Sequence, residues 1–256
     1  FADLPDALPI IDAQETVPRM RWDVTCAPAP QPIPECSPVK CGRVVRDDMW
    51  TQAEVLQLRA LCENAMQYGG GSGGPTIYDL ASGALSRDNA FIDVYYVLRA
   101  SGMDSPLTDG DRKLLMSVTD RVRSALEAEF EVSGLQLTAP TFFSRIAAAQ
   151  KPRQANDEYW HAHVDREQYG AFDFTALIYL SEFGEHFEGG QFAFVDAGAE
   201  ALTVEPREGR TVLFTSGAEN VHKVHRVSDG VRLAFTVAFT CDPAKGVQDF
   251  LQNSVF

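Results

Sequence analysis

The chain has no uninterrupted run of about 18 apolar residues, the length a helix needs to cross a bilayer. Its opening, FADLPDALPI, lacks the basic-then-apolar order of a secretory leader. Basic side chains are scarce: 22 Lys and Arg stand against 36 Asp and Glu, giving a formal charge of −14. A field of that sign repels a phosphate backbone, so nucleic acid is not an expected partner. A peptide, a protein or a small molecule meets no such barrier, and the acidity is equally read as a solubility device. No CxxC pair occurs, which removes the spacing of a structural zinc site. The segment GGGSGGP, Gly69 to Pro75, lacks the Lys followed by Ser or Thr that a phosphate cradle requires, and is expected to be a flexible loop.

What is present reads as a globular chain: 256 residues, 45% hydrophobic and 23% charged, enough for one catalytic domain with an appendage. Residues 1–40 are Pro-rich and form an arm or stalk, 41–135 a helical support region, 136–243 the catalytic domain and 244–256 a tail. The chain opens on Phe1 rather than Met, so targeting information is expected upstream. Five cysteines leave at least one thiol unpaired within the chain. Cys26, Cys36 and Cys41 lie in irregular sequence where disulfides of an oxidising compartment and free thiols are both compatible. Cys62, on a helical apolar face, reads as a buried free thiol.

Thr51 and Glu54 make a capping box, and Val55, Leu58, Leu61, Cys62 and Ala65 follow at helical spacing, which predicts a helix over 51–67. Thr108 to Asp111 caps a second over 109–130, with Leu115, Val118, Val122, Leu126 and Phe130 on one face. Beyond Gly134 come eight β-rich runs: 137–146, 158–164, 174–181, 191–195, 201–205, 211–215, 221–227 and 231–240. Helices followed by strands imply an α+β protein, and the strand count fits a double-stranded β-helix, or jelly roll, braced by the N-terminal helices.

In EYWHAHVDREQYG, strand alternation places Tyr159, His161, His163 and Asp165 on one face. Imidazole and carboxylate inside a jelly roll are costly unless they coordinate a metal. His163 and Asp165 reach one ion from the same side, and a distant His completes a facial triad with open positions, the donor set of a non-haem Fe(II) oxygenase. His222 and His225 have opposite parity. His222 is chosen because Arg232 lies ten residues on, across a turn of Ser228, Asp229 and Gly230, on a strand returning beside the His. A buried guanidinium there needs a carboxylate such as that of 2-oxoglutarate. Thr236 has the same parity and assists. His161 is read as supporting the ligands or lining the substrate pocket rather than as a fourth ligand, and His225 as outward beside Lys223.

The strings HVD, EGGQF, VEPREGRTVLF and HKVHRVSDGVR resemble the prolyl-hydroxylase family of 2-oxoglutarate/Fe(II) oxygenases over residues 138–243. DEYWHAHVDREQYG, LIYLSEF, FTSGAENVH, CGRVV and FTCDP are most similar to the membrane-anchored oxygenases named for their 2-oxoglutarate and iron-dependent oxygenase domain. The resemblance implies a jelly roll, Fe(II), 2-oxoglutarate and O2, with ascorbate as a further expected cofactor. It also implies decarboxylation of 2-oxoglutarate to succinate with hydroxylation of a peptidyl residue such as proline. The expected setting is the lumen of the endoplasmic reticulum or Golgi, behind an upstream membrane anchor. Many relatives carry a Tyr contacting 2-oxoglutarate where this chain has Ile146, so Tyr159 is the expected replacement. Cys41 is then paired with Cys241, and Cys26 with Cys36. Two rival readings are a cupin-type metal enzyme using His161, His163 and Glu167, and a non-catalytic jelly-roll binding module.

Overall fold

The computed structural model describes residues 9–28, 32–71, 73–102, 107–149 and 151–247; most of the expected tail, from residue 248, and parts of the arm lie outside them. The elements run in the order β1 (Ile10–Ile11), β2 (Met20–Val24), β3 (Cys41–Arg46), α1 (Gln52–Met66), β4 (Thr76–Asp79), β5 (Ala84–Arg87), β6 (Ala90–Asp93), α2 (Val94–Ala100) and α3 (Asp109–Phe130). Then follow β7 (Gln136–Leu137), β8 (Phe142–Ala147), α4 (Asp165–Tyr169), β9 (Phe174–Tyr179), β10 (Phe187–Gly189), β11 (Phe192–Asp196), β12 (Ala199–Val204), β13 (Thr211–Thr215), β14 (His222–Val224) and β15 (Val227–Thr240).

Both long helices begin where their capping boxes place them. Thr51 Oγ1 accepts from Glu54 N–H while Glu54 returns the bond, and Thr108 and Asp111 do the same for α3. Each box satisfies two amide groups that the first helical turn leaves orphaned. The apolar face of α3, Leu115 to Phe130, is fully buried.

Two sheets make the jelly roll. The minor sheet has the order β1-β12-β11-β14, and the major sheet runs β2-β3-β13-β9-β15-β8-β4-β5-β6. Alternation along the central strands divides two cores. Phe174, Ala176 and Ile178 of β9 and Leu233, Phe235 and Val237 of β15 pack on α1 and α3. Leu177, Tyr179 and Ala234 turn between the sheets to meet Phe192, Phe194 and Phe214. Strands buried on both faces read as near-continuous apolar runs, as these do.

The fold is the α+β jelly roll expected, with five differences. Residues 158–164 form no strand: the only ladder contact there is an isolated bridge between His163 and His222. Residues 228–230 are no turn, because β15 runs unbroken through them and pairs with β10. β14 lies in the minor sheet and β15 in the major, so Arg232 faces His222 across the interior instead of returning beside it. The region read as helical contributes β3 to β6 to the major sheet, strands too short to show a period.

The fifth difference is the disulfides, which are Cys26–Cys41 and Cys36–Cys241. Val24 stands opposite Cys41 in the β2–β3 ladder, so Cys26, two residues past Val24, meets Cys41. Cys36 is left in the core cluster that also holds Cys241. Cys62 is a buried free thiol, as expected, and burial pushes its pKa up to about 12. Glycines at 73 and 74 serve close packing: a Cβ at Gly73 would lie 2.7 Å from Arg153 N, and one at Gly74 2.6 Å from Asp157 Cα. No helix among the described residues is long and apolar enough to cross a membrane.

Candidate metal centre

His163 and His222 exchange both backbone hydrogen bonds, N–H to C=O, at 2.9 and 3.0 Å. Such a pair holds two residues directly opposite with side chains on one side, and the two rings lie 4.3 Å apart. After His163 the chain turns through Val164 into α4. Asp165, its first residue, comes back over the two imidazoles, with Oδ1 3.6 Å from His163 Nε2 and 3.4 Å from His222 Nε2. One donor atom from each of the three residues lies within 4.8 Å of the others.

The remaining polar atoms are committed elsewhere, which fixes what each residue offers. His222 Nδ1 lies 2.9 Å from Asn220 C=O, and His163 Nδ1 3.1 Å from His161 C=O. A carbonyl accepts only, so Nδ1 carries the proton and Nε2 presents its lone pair to the cluster. Asp165 Oδ2 accepts from Thr175 Oγ1 at 2.7 Å, and Ser216 Oγ lies 2.8 Å from that hydroxyl. Oδ1 is left for the cluster. Three converging lone pairs on a neutral-His, carboxylate set match the facial triad of a non-haem Fe(II) site.

Electrostatics agree with a site built for a cation. Burial lowers the His163 pKa, as does neighbouring His222. Burial would raise the Asp165 carboxyl, but His222 and the Thr175 hydrogen bond outweigh it and hold the group below the ordinary carboxylate value. For His222, burial opposes the proton, yet Asp165 raises its pKa overall.

The cluster opens into a cavity of about 540 Å³ that Arg232, Thr236, Tyr159 and Ile146 also line. Arg232 is 2% exposed. Its Nε donates to Gly190 C=O at 3.0 Å, but Nη2 has no hydrogen-bond partner. Burial lowers its pKa, and the phenol of neighbouring Tyr179, whose ring lies 5.2 Å from the guanidinium carbon, offsets part of that. An orphaned cationic donor in a cavity that also holds a metal cluster fits the carboxylate of a chelating co-substrate. The EGGQF string now has a physical reason. Gly190 stands at φ +67, and a Cβ there would lie 3.0 Å from Arg232 Cδ.

Tyr159 accepts from Val227 N–H at 2.8 Å through its hydroxyl, which leaves its O–H as a donor. Ile146, where relatives are expected to carry Tyr, stands opposite Arg232 in the β8–β15 ladder. His161 lines the exposed part of the same cavity, with its Nε2 2.7 Å from Glu158, and Glu167 is exposed on α4. Neither belongs to the metal cluster, so the cupin set does not form. His225 and Lys223 both pair with Glu200 on the outer face.

Sequence reasoning missed the groups that orient the ligands. Thr175 is the one Thr of the buried run FTALIY, which marks a polar group in the core without saying what it meets. Asn220 is buried, accepts from Arg43 Nε at 2.8 Å and donates to Thr215 C=O at 2.8 Å, which fixes the carbonyl that holds His222. Thr175→Val keeps shape but removes the donor to Asp165. Fe(II) affinity is expected to fall by about 10–100-fold, measured by equilibrium dialysis, and unchanged affinity would remove Thr175 from the site.

Residues 150–240 match the family model described as the 2OG-Fe(II) oxygenase superfamily. The mouse 2-oxoglutarate and iron-dependent oxygenase domain-containing protein 3 is 44% identical over 216 residues, 84% of this chain and 68% of that protein. Human prolyl 3-hydroxylase 1 is 29% identical over 233 residues, 82% of this chain and 30% of that protein. A solved Pseudomonas putida prolyl-4-hydroxylase is 19% identical, with a TM-score of 0.43 over 78% of this chain and 92% of that one. By its converging ligands and its identity to the mouse protein, the chain belongs to the 2OG-Fe(II) oxygenase family and is a dioxygenase that uses Fe(II), 2-oxoglutarate and O2.

Proposed function

We propose that this enzyme hydroxylates an unactivated C–H bond of a peptidyl residue, proline foremost, with His163, Asp165 and His222 as iron ligands. Arg232 and Thr236 hold the distal carboxylate of 2-oxoglutarate, and the Tyr159 O–H supplies a further donor. The observation that carries the reading is the pairing, in one cavity, of three converging lone pairs with a buried guanidinium whose Nη2 is unpaired. When bound, Fe(II) with 2-oxoglutarate and O2 supplies the oxidising equivalents that turn C–H into C–OH, while the co-substrate leaves as succinate and CO2.

The chain's own residues bind and orient. Asn220 and His161 carbonyls hold each Nδ1 proton and so aim Nε2 at the cluster, Thr175 turns Asp165, and the walls of Ile146, Leu177, Phe192 and Phe214 limit water at the reacting end. The proline reading draws on the relatives named for prolyl hydroxylation, an analogy of family. The two disulfides favour an oxidising lumen such as that of the endoplasmic reticulum, where ascorbate would keep the iron reduced.

The test is succinate release from Fe(II), 2-oxoglutarate and a library of proline-containing peptides, with hydroxylation read as a gain of one oxygen by mass. His163→Ala is expected to abolish both. A wild-type protein that turns over no peptide, or a His163→Ala variant as active as wild type, would overturn the reading and favour a non-catalytic binding module.

A further inference from the structure

The outer wall of the cavity takes no part in holding metal or co-substrate. Among the described residues β6 is the last strand of the major sheet and pairs with β5 alone. Asp88, Asn89, Ala90 and Phe91, at this hairpin, line the same cavity as the metal cluster.

The ladder fixes which main-chain groups face outward. Val94 N–H donates to Gly83 C=O at 3.0 Å. In the β5–β6 register the hydrogen-bonded pairs then fall at Leu85/Ile92 and Arg87/Ala90, every second residue as an antiparallel ladder requires. Phe91 therefore turns its N–H and C=O away from β5, and Asp93 its N–H. The side chain of Phe91 is 67% exposed. An open edge is a template for strand addition unless proline, lysine or a bulge blunts it. AFID carries no proline or lysine, and its one charge, Asp93, is spent on Tyr96 N–H as the cap of α2.

Charge gives the edge a preferred occupant. Fe(II), the two carboxylates of 2-oxoglutarate, Asp165 and Arg232 together cancel. The other charged residues lining the cavity are Asp88, Asp157 and Glu158, with no further Lys or Arg among the described lining residues. Asp157 is buried and accepts from Arg153 and Gln154 N–H, whereas Asp88 is exposed, and the partly exposed Glu158, on the cavity wall, has one carboxylate oxygen 2.7 Å from His161 Nε2 and the other open to a partner.

We infer that β6 is the substrate-docking edge: an extended peptide adds as a further strand beside Phe91, lays a side chain on its ring, and carries a basic residue toward Asp88 and Glu158. This rests on the peptide hydroxylation proposed above and deepens it by naming how the peptide is held and what it carries.

The experiment uses the intact protein with Fe(II) and 2-oxoglutarate, and peptides turned over by the wild type. These are compared as Lys and Glu versions and after single-amide N-methylation at each position. Phe91→Pro removes the outward N–H while sparing the inward bonds of Ala90 and Ile92, and Phe91→Ala removes the ring. Expected are a tenfold or greater rise in peptide KM for both variants, and a similar loss for one or two N-methylated positions spaced by two residues. The wild type is also expected to prefer Lys over Glu, a preference reduced in Asp88→Asn. If Phe91→Pro fails to fold by circular dichroism, Phe91→Ala and the N-methylated peptides decide. Peptides that are hydroxylated with KM indifferent to Phe91→Ala and to N-methylation would overturn the docking edge, and equal KM for Lys and Glu versions would overturn its charge preference. Absence of turnover with every peptide would instead overturn the proposed function.

Discussion

Arg232→Met is expected to raise the KM for 2-oxoglutarate by about 10²–10³-fold, the cost of truncating one partner of a buried charged pair, without lowering the stability of the co-substrate-free protein. The guanidinium is buried with Nη2 unpaired and no carboxylate among its hydrogen-bond partners. A buried charge without its counter-charge is a cost to the fold, and replacing it with an apolar side chain of similar length is neutral or stabilising. Function and stability should therefore separate at this one position. Thermal unfolding with and without 2-oxoglutarate reads both: the wild type gains stability from the ligand by mass action, and the variant gains none. Arg232→Lys should recover only part of the affinity, because an ammonium cannot present the planar fork. An unchanged KM in Arg232→Met would remove the residue from the co-substrate site.

The second large effect lies far from the cavity. Cys36–Cys241 joins residues 205 apart, tying the segment that carries β2 and β3 to the end of β15. In the chain-entropy account, closing a loop of that length contributes about 5 kcal/mol. Replacing both cysteines with Ser should lower Tm by about 10–20 °C for a domain of this size. Cys26–Cys41 spans 15 residues and should contribute about 3 kcal/mol. Differential scanning calorimetry of the two Ser pairs ranks them, and a smaller loss for the 36/241 pair than for the 26/41 pair would contradict the entropic account. Because β3 carries Arg43, which holds Asn220 and through it His222, iron affinity should fall with the longer bridge as well.

How much of the site was legible depended on which rule each residue obeys. Arg232 and Thr236 were read by strand parity, and β15 obeys parity because its two faces meet different cores. His163 and Asp165 were read by the same rule, yet no strand exists there. The bridge to His222 and the turn into α4 bring them together. His161, by strand parity on the face of His163, instead pairs with Glu158 at the exposed part of the cavity and stays outside the ligand cluster. The triad could be read because the spacing of ligand types survives an error in the backbone between them. Thr175 and Asn220 could not be read as orienting groups, since a hydroxyl or an amide has no directional meaning until its partner is placed.

The disulfides make the same point. Sequence order suggested that Cys26 closes on its neighbour Cys36, whereas the β2–β3 register sets Cys41 next to Cys26 and sends Cys36 to Cys241.

By itself the sequence determined the two long helices, the β-rich catalytic half, the donor set for iron and the buried guanidinium. Capping, periodicity and the cost of burying charge are local or compositional constraints, and they act on residues before any tertiary partner is named. Only the tertiary structure decided that His222 and Arg232 face each other across two sheets, that β6 ends the major sheet at the cavity mouth, and which cysteines pair. Each of these is a long-range pairing, set by sheet register and by which strand finds an open edge, and no residue spacing along the chain encodes it.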